Sequence, residues 1–106
     1  LSDMISEKVH AITLDAITER VCECYGITPF QLLEKTRKPQ VAFPRQVAMY
    51  LANYLIPQLS LKDIAEYYNR KDHTTVIHAK KMVENQFREK EDFRIQLEEI
   101  IKNLKK

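Results

Sequence analysis

The stretch Asp72-His73-Thr74-Thr75-Val76 decides the fold that this chain of 106 residues is expected to adopt. Asp is a favoured N-cap, because its carboxylate accepts backbone N–H groups that the start of a helix leaves unpaired. A helix capped by Asp72 projects one histidine and two threonines from its tip. Imidazole and hydroxyl groups can bond base edges, threonine methyls can contact a thymine methyl, and the carboxylate can accept from a cytosine amino group. The stretch therefore predicts a helix that can read bases in a DNA major groove, although capping alone is the commoner role of such an Asp.

A shorter helix is predicted directly upstream, from Leu61 to about Tyr68. Ser60 and Asp63 fit a capping box in which Asp stands for the usual Glu or Gln. The turn Asn69-Arg70-Lys71 has the length that a helix-turn-helix needs, and Asn can adopt the left-handed conformation that Gly usually supplies. The inward face of the downstream helix is predicted at Val76, Ala79, Val83 and Phe87.

Further helices complete an all-α prediction of about six helices with no strand. A helix is predicted from Leu14 to Tyr25, ended by Gly26, and its inward side is predicted at Leu14, Ile17, Val21 and Cys24. Thr28 and Gln31 form a capping box that begins a short helix, which should end by Leu33 or Glu34.

Residues 35–43 are predicted to be an exposed basic loop, because Pro39 and Pro44 restrict the backbone. Pro44 is then expected to start a helix that runs to Ile56. The final helix is predicted to close a compact bundle through Leu97, Ile100, Ile101 and Leu104.

Composition indicates a single small domain. The chain has no apolar run near the length of a membrane span and no signal-peptide pattern, which favours a soluble intracellular protein. Cys22 and Cys24 are the only cysteines, so we expect them to be reduced and structural. Residues 1–11 are predicted to be a connector helix from an upstream domain, because the segment is polar and amphipathic and a start at Leu rather than Met suggests a piece of a larger protein. Residues 12–106 are predicted to be the helix-turn-helix domain.

Positive charge is concentrated in the middle of the chain. Residues 35–81 hold nine basic and three acidic side chains, a net charge of +6, whereas the whole chain carries +2. No acidic residue occurs between Lys35 and Lys62. A basic cluster often only solvates a helical surface, but beside a helix-turn-helix it favours nucleic acid as the partner.

Three runs carry a resemblance to a known family: PRQVAMYL at 44–51, SLKDI at 60–64 and DHTTVIHA at 72–79. Together they resemble the C-terminal DNA-binding domain (domain IV) of the bacterial DnaA replication initiators, over roughly residues 12–93. The resemblance implies a DnaA/Trp-repressor-like fold and sequence-specific binding of double-stranded DNA at DnaA boxes of the replication origin, in the cytoplasm at the nucleoid. It implies no cofactor in this chain, ATP only for a nucleotide-binding domain outside it, and a monomeric isolated domain that is oligomeric in the full-length protein.

The resemblance also implies roles for individual residues. Arg37 matches an arginine that the family inserts into the minor groove, while Asp72, His73, Thr74 and Thr75 would read bases in the major groove. Arg45 and Gln46, expected at a helix start, match family backbone contacts, and Thr75 and His78 match similar roles. Further phosphate ligands are expected at Lys35, Lys38, Lys62 and Lys71. Lys35 and Lys38 flank Arg37 in the loop, whereas Lys62 is included for its charge alone. Lys71 and Asn69 depart from the Arg and Gly that are usual in the family.

Other functions fit the sequence less well. A single glycine cannot form a glycine-rich phosphate-binding loop, and the sequence has no recognisable set of catalytic Ser, His, Asp or Cys residues. We therefore do not expect an enzyme. His73 and His78 are not at the i, i+4 spacing of helical zinc ligands, and Tyr50, Tyr54, Tyr67 and Tyr68 are expected to pack rather than stack on bases. Two alternatives stay open: a helix-turn-helix transcriptional repressor, usually a symmetric dimer, and a helical adaptor that docks a protein partner.

Overall fold

The structure, a computed structural model, describes residues 12–106. Within this range the elements are six α-helices without a strand, which confirms the all-α prediction: α1 Leu14–Tyr25, α2 Pro29–Leu33, α3 Pro39–Leu55, α4 Leu61–Tyr67, α5 Thr74–Glu89 and α6 Glu91–Leu104. None of these helices is both long and apolar enough to cross a membrane. The connector helix predicted for residues 1–11 lies outside the described residues.

The first two helices begin and end at the signals that the sequence contains. Thr13 accepts the backbone N–H of Ala16 at the start of α1, and Gly26 ends that helix with a φ of 68°. At α2, Thr28 and Gln31 complete both bonds of the capping box. The predicted bounds of both helices are therefore confirmed.

The bounds of α3 differ from the prediction. The helix begins at Pro39 and contains Pro44, so the loop before it spans only residues 34–38. Pro39 occupies a first helical position, where its missing N–H costs nothing, and the amides of Val41 and Ala42 donate to the carbonyl of Lys38. Pro44 removes one helical bond near the N-terminal end, and the burial of Val41 and Pro44 offsets that loss.

Helix α3 lies at the centre of the bundle and packs against α1, α2, α4 and α5, while α6 closes the far side against α1 and α5. The inward side of α1 carries Cys22, which is buried, whereas the predicted Cys24 is exposed. Both cysteines are free, as expected. Phe43 of α3 contacts Phe93 of α6 with ring centroids 5.4 Å apart. The core of this bundle holds the helix-turn-helix against the loop at 34–38.

Helices α4 and α5 form the helix-turn-helix. Ser60 and Asp63 make both bonds of the predicted capping box, and Asn69 adopts the left-handed conformation with a φ of 63°. Tyr68, at the end of α4, is fully buried, and its hydroxyl lies 2.9 Å from that of Thr18 on α1. The predicted inward face of α5 is confirmed: Val76, Ala79 and Val83 are buried, and Phe87 packs against the core.

Candidate DNA-binding surface

The tip of α5 presents polar side chains to solvent. The Asp72 carboxylate accepts the backbone N–H of Thr74 at 3.1 Å, so the predicted cap is present. The first turn is tight, with Thr75 N–H donating to the carbonyl of Asp72, and α5 therefore begins at Thr74, later than the cap alone predicts. His73 and Thr74 are exposed and Thr75 is half-buried.

The electrostatics of this tip are set by Asp72. Its bond from the Thr74 N–H lowers the pKa of the Asp72 carboxyl, and the nearby His73 lowers it further. The His73 Nδ1 atom lies 3.3 Å from Asp72 Oδ1. The Asp72 carboxylate therefore stays ionised and caps the start of the helix, while its side chain remains 64% exposed to solvent.

The basic loop, residues 34–38, is fixed by a buried arginine. Arg45 is only 4% exposed, and its guanidinium donates to three carbonyls: Leu32 at 2.9 Å, Thr36 at 3.1 Å and Glu34 at 2.5 Å. Arg45 forms no ion pair among residues 12–106. Burial lowers the pKa of Arg45 to about 10, and the positive charge of Arg70 adds to that effect. Arg45 thus holds the loop through the carbonyls at the end of α2 and just beyond it.

This position corrects the expectation that Arg45 and Gln46 lie at a helix start. Both lie in the second turn of α3, too far from its first amides for the helix N-terminus to help them bind an anion. Burial also makes Arg45 primarily a residue that positions the loop, whereas Gln46 remains half-buried at the surface.

The helix-turn-helix turn is tied to the same segment of backbone. Asn69 Nδ2 donates to the carbonyl of Leu33 at 3.4 Å, and Arg70 Nη2 donates to that of Glu34 at 3.3 Å. The Glu34 carbonyl therefore accepts from both α3 and the turn before α5, while the Leu32 and Leu33 carbonyls accept from one of them each. Through them, the basic loop and the tip of α5 are held side by side.

Two clefts lie between these elements. The first cleft, about 420 Å³, has seven polar or charged residues in its lining: Thr36, Arg37, Arg45, Gln46, Arg70, Thr75 and His78. The second cleft, about 390 Å³, is lined by a related set: Lys35, Arg37, Asn69, Arg70, Lys71, Asp72 and Thr75. Arg37, Arg70 and Thr75 line both. No acidic residue lines the first cleft, whereas Asp72 lines the second.

Most of the residues singled out in the sequence thus border one continuous basic surface. Lys38, His73 and Thr74 are exposed and adjoin lining residues in the sequence, and Lys62 is exposed at the second residue of α4. Arg70 lines both clefts, and the sequence pattern predicts no role for it. The sequence indicates only that Arg70 lies in the turn between the two helices of the motif. Its contact with Glu34 spans 36 residues, so no local spacing predicts it.

Comparison with known proteins identifies the family. The family model described as "Bacterial dnaA protein helix-turn-helix" matches residues 14–83. The chain belongs to the DnaA family. It is therefore a helix-turn-helix DNA-binding domain and not a catalytic one, which confirms both expectations from the sequence.

Relatives within the DnaA family match most of the chain or nearly all of it. The protein named "Chromosomal replication initiator protein DnaA" from Caldanaerobacter subterraneus subsp. tengcongensis is 42% identical over 99% of this chain and 23% of its own length. The protein of the same name from Methylacidiphilum infernorum is 43% identical over 78% of this chain and 18% of its own length. This chain therefore spans less than a quarter of the length of these DnaA proteins.

A solved structure described as "Crystal structure of DNA replication initiation factor" has the same fold. Its TM-score is 0.76, with 34% identity over 87% of this chain and 28% of that chain. The predicted DnaA-like helical bundle is thereby confirmed.

Proposed function

We propose that this domain binds double-stranded DNA specifically at DnaA boxes of a replication origin, as the DNA-binding part of a replication initiator. The observation that carries the proposal is that Arg37 of the basic loop and Thr75 of the α5 tip line the same two clefts. Elements this close can enter adjacent grooves of one duplex. The relatives named as replication initiators support the cellular role.

In the major groove, the α5 tip supplies the groups that read bases. His73 and Thr74 are exposed, and Thr75 lies beside them at the cleft edge. Asp72 caps the helix and presents its remaining lone pairs to a cytosine amino group. Each such contact discriminates against a wrong base by about 1–3 kcal/mol.

In the minor groove, Arg37 supplies the recognition. The side chain is exposed on a loop whose backbone Arg45 fixes, so little ordering is needed on binding. A minor groove narrowed by A·T-rich sequence has an enhanced negative potential that attracts a guanidinium. Arg37 therefore selects the groove by its width and potential.

Contacts with the phosphate backbone orient the domain but carry little sequence information. Exposed basic groups around both readers serve this role: Lys35, Lys38, Lys62, Lys71 and His78. Gln46 and Thr75 add polar contacts from the first cleft, and Arg45 contributes charge from its wall. The isolated domain binds as a monomer, in the cytoplasm at the nucleoid, and belongs to an ATP-binding protein that oligomerises through other domains.

Fluorescence anisotropy tests this function. The chain is titrated into a duplex that carries a DnaA box and into a scrambled duplex of equal composition, at several salt concentrations. We expect a large preference for the box that persists as salt rises, because base contacts release few counterions.

The other outcomes point to the remaining alternatives. Equal binding to both duplexes that disappears with salt would contradict specific recognition and favour a helical adaptor for a protein partner. Binding of two copies to a palindrome, with no affinity for a single half-site, would favour a dimeric repressor.

A further inference from the structure

We infer that Arg70 binds one backbone phosphate of the DNA strand that separates the two grooves, inside the first cleft. This inference rests on the proposed function and adds a ligand to it. The adjacent major and minor grooves of a duplex share one sugar-phosphate backbone. A protein that reads both from neighbouring elements must straddle that strand, and the space between its two readers is where the strand passes.

The first cleft has the position and the charge for such a strand. Arg37 of the basic loop borders one side of it, and Thr75 and His78 of α5 border the other. Its charged lining is entirely basic, whereas the second cleft includes the Asp72 carboxylate, which repels an anion. A phosphate is therefore favoured in the first cleft.

The guanidinium of Arg70 has unused hydrogen-bonding capacity. Its Nε atom is buried and has no acceptor among residues 12–106. Its Nη2 atom makes only a long bond of 3.3 Å to the carbonyl of Glu34, which already accepts from Arg45 at 2.5 Å. A buried donor without a partner costs free energy, and the Nε–H with one Nη–H forms the fork that a phosphate accepts in parallel bonds. A rotation of the Arg70 side chain that turns the Nε–H toward the cleft therefore gains two bonds to a phosphate and gives up only the long bond to Glu34.

Repulsion between two arginines strengthens this tendency. Arg45 and Arg70 share the carbonyl of Glu34, and the pKa of Arg45 is lowered first by burial and then by the positive charge of Arg70. Neither arginine pairs with a carboxylate among residues 12–106. A phosphate between the two arginines is attracted by both and offsets their repulsion. An anion should therefore bind here more tightly than elsewhere on the basic surface.

A methylphosphonate scan of the DNA tests the inference. Single neutral methylphosphonates replace each phosphate of the DnaA-box duplex in turn, and anisotropy gives the affinity of the unmodified chain and of Arg70→Gln. For the unmodified chain, we expect a loss of about tenfold at one or two adjacent positions between the grooves, as for a lost bond between charged groups. Arg70→Gln should bind every duplex more weakly, be insensitive to those positions, and lower the salt slope by about 1.

Matched variants separate this role from a structural one. Arg20→Gln removes the same charge from α1, where among the described residues Arg20 pairs only with the exposed Glu23, and should keep the full methylphosphonate pattern. Arg70→Lys keeps the charge and should keep the salt slope while losing part of the affinity at the same positions. Circular dichroism of each variant checks that the domain is folded, and Arg70→Lys carries the test if Arg70→Gln does not fold.

The outcomes distinguish the inference from the function. If the box is preferred but the variants at Arg70 keep the pattern of the unmodified chain at every position, the inference is wrong and the proposed function stands. If box and scrambled duplexes bind equally, the proposed function itself fails. A free-anion site would instead appear as a saturating shift of the Arg70 Nε–H resonance in inorganic phosphate with no methylphosphonate sensitivity, which would also overturn the inference.

Discussion

Arg45 Nε and the carbonyl oxygen of Leu32 lie 2.9 Å apart, in a hydrogen bond that joins the second turn of α3 to the last turn of α2. The same guanidinium reaches Thr36, so a single side chain sets the path of the basic loop. The loop that carries Arg37 is therefore ordered from inside the domain, and DNA meets an arginine whose backbone is already in place.

Replacing Arg45 by Lys tests this anchor. An ammonium keeps the charge but cannot match the planar fork that serves three carbonyls, so we expect Arg45→Lys to lower the free energy of unfolding by about 1–3 kcal/mol. Urea denaturation measures this loss, and hydrogen exchange should become faster in residues 34–38. Lys35→Arg, an exposed change in the same loop, should alter neither quantity. Unchanged exchange in Arg45→Lys would contradict the anchoring role.

Arg37 tests the minor-groove contact. Arg37→Ala should remove the preference for A·T pairs at the positions that the loop contacts while leaving the major-groove preference intact. Arg37→Lys should restore the salt dependence but only part of the preference, because a hydrated ammonium enters a narrow groove less readily. Competition binding with duplexes altered at single base pairs measures both. If Arg37→Ala lowers the affinity for all duplexes equally, Arg37 binds a phosphate and does not recognise the minor groove.

His73 and Thr74 test the major-groove contact. His73→Ala or Thr74→Ala should cost about 1–3 kcal/mol against the box and leave affinity for scrambled DNA unchanged. Lys62→Ala is the matched change on α4: it should weaken binding to every sequence and reduce the salt slope by about 1. Equal losses on both duplexes for His73→Ala would show that this residue does not read bases.

The Asp72 cap predicts a specific pH dependence. The bond from the Thr74 N–H lowers the pKa of the Asp72 carboxyl below its ordinary 3.8 in the folded state. The contribution of the cap is therefore complete above that value and lost as the pH falls through the lower, folded-state pKa. The Thr74 amide proton resonance should titrate with a midpoint below 3.8, and this titration should vanish in Asp72→Ala. A midpoint at or above the ordinary value would contradict the cap.

The buried hydroxyl pair of Thr18 and Tyr68 supports the end of α4. Tyr68→Phe should lower the free energy of unfolding by about 1 kcal/mol, because it leaves the Thr18 hydroxyl buried without its partner. The double variant Thr18→Val with Tyr68→Phe should be more stable than the sum of the single changes predicts, since it leaves neither group unsatisfied. Urea denaturation measures this coupling. Additive losses would indicate that the two hydroxyls do not interact.

The sequence predicted the parts of the fold that rest on local signals. The caps at Thr28 and Ser60, the left-handed Asn69 and the inward face of α5 each depend on residues within a few positions of one another. The start of α3 was predicted wrongly because a proline is compatible both with a loop and with a first helical turn. The burial of Val41 in the tertiary structure decides between them.

The candidate site was predictable only in outline. Sequence pattern and family resemblance selected the α5 tip and the loop arginine, and these lie on one surface. The three bonds of Arg45 span 9 to 13 residues and those of Arg70 and Asn69 span 36, so no local spacing reveals them. The family resemblance and an expected place at a helix start predict Arg45 at a phosphate, and only the folded packing identifies it as an internal anchor.

Because Arg45 holds the basic loop through backbone carbonyls, the conformation of the loop does not depend on ion pairs that acid or salt would weaken. No acidic side chain takes part, so acidification does not remove a partner, and the bonds are shielded from mobile ions by burial. Added salt therefore acts on the ion atmosphere of the nucleic acid and leaves the protein scaffold unchanged. For this domain, a plot of log affinity against log salt counts phosphate contacts directly, without a hidden contribution from loosening of the loop.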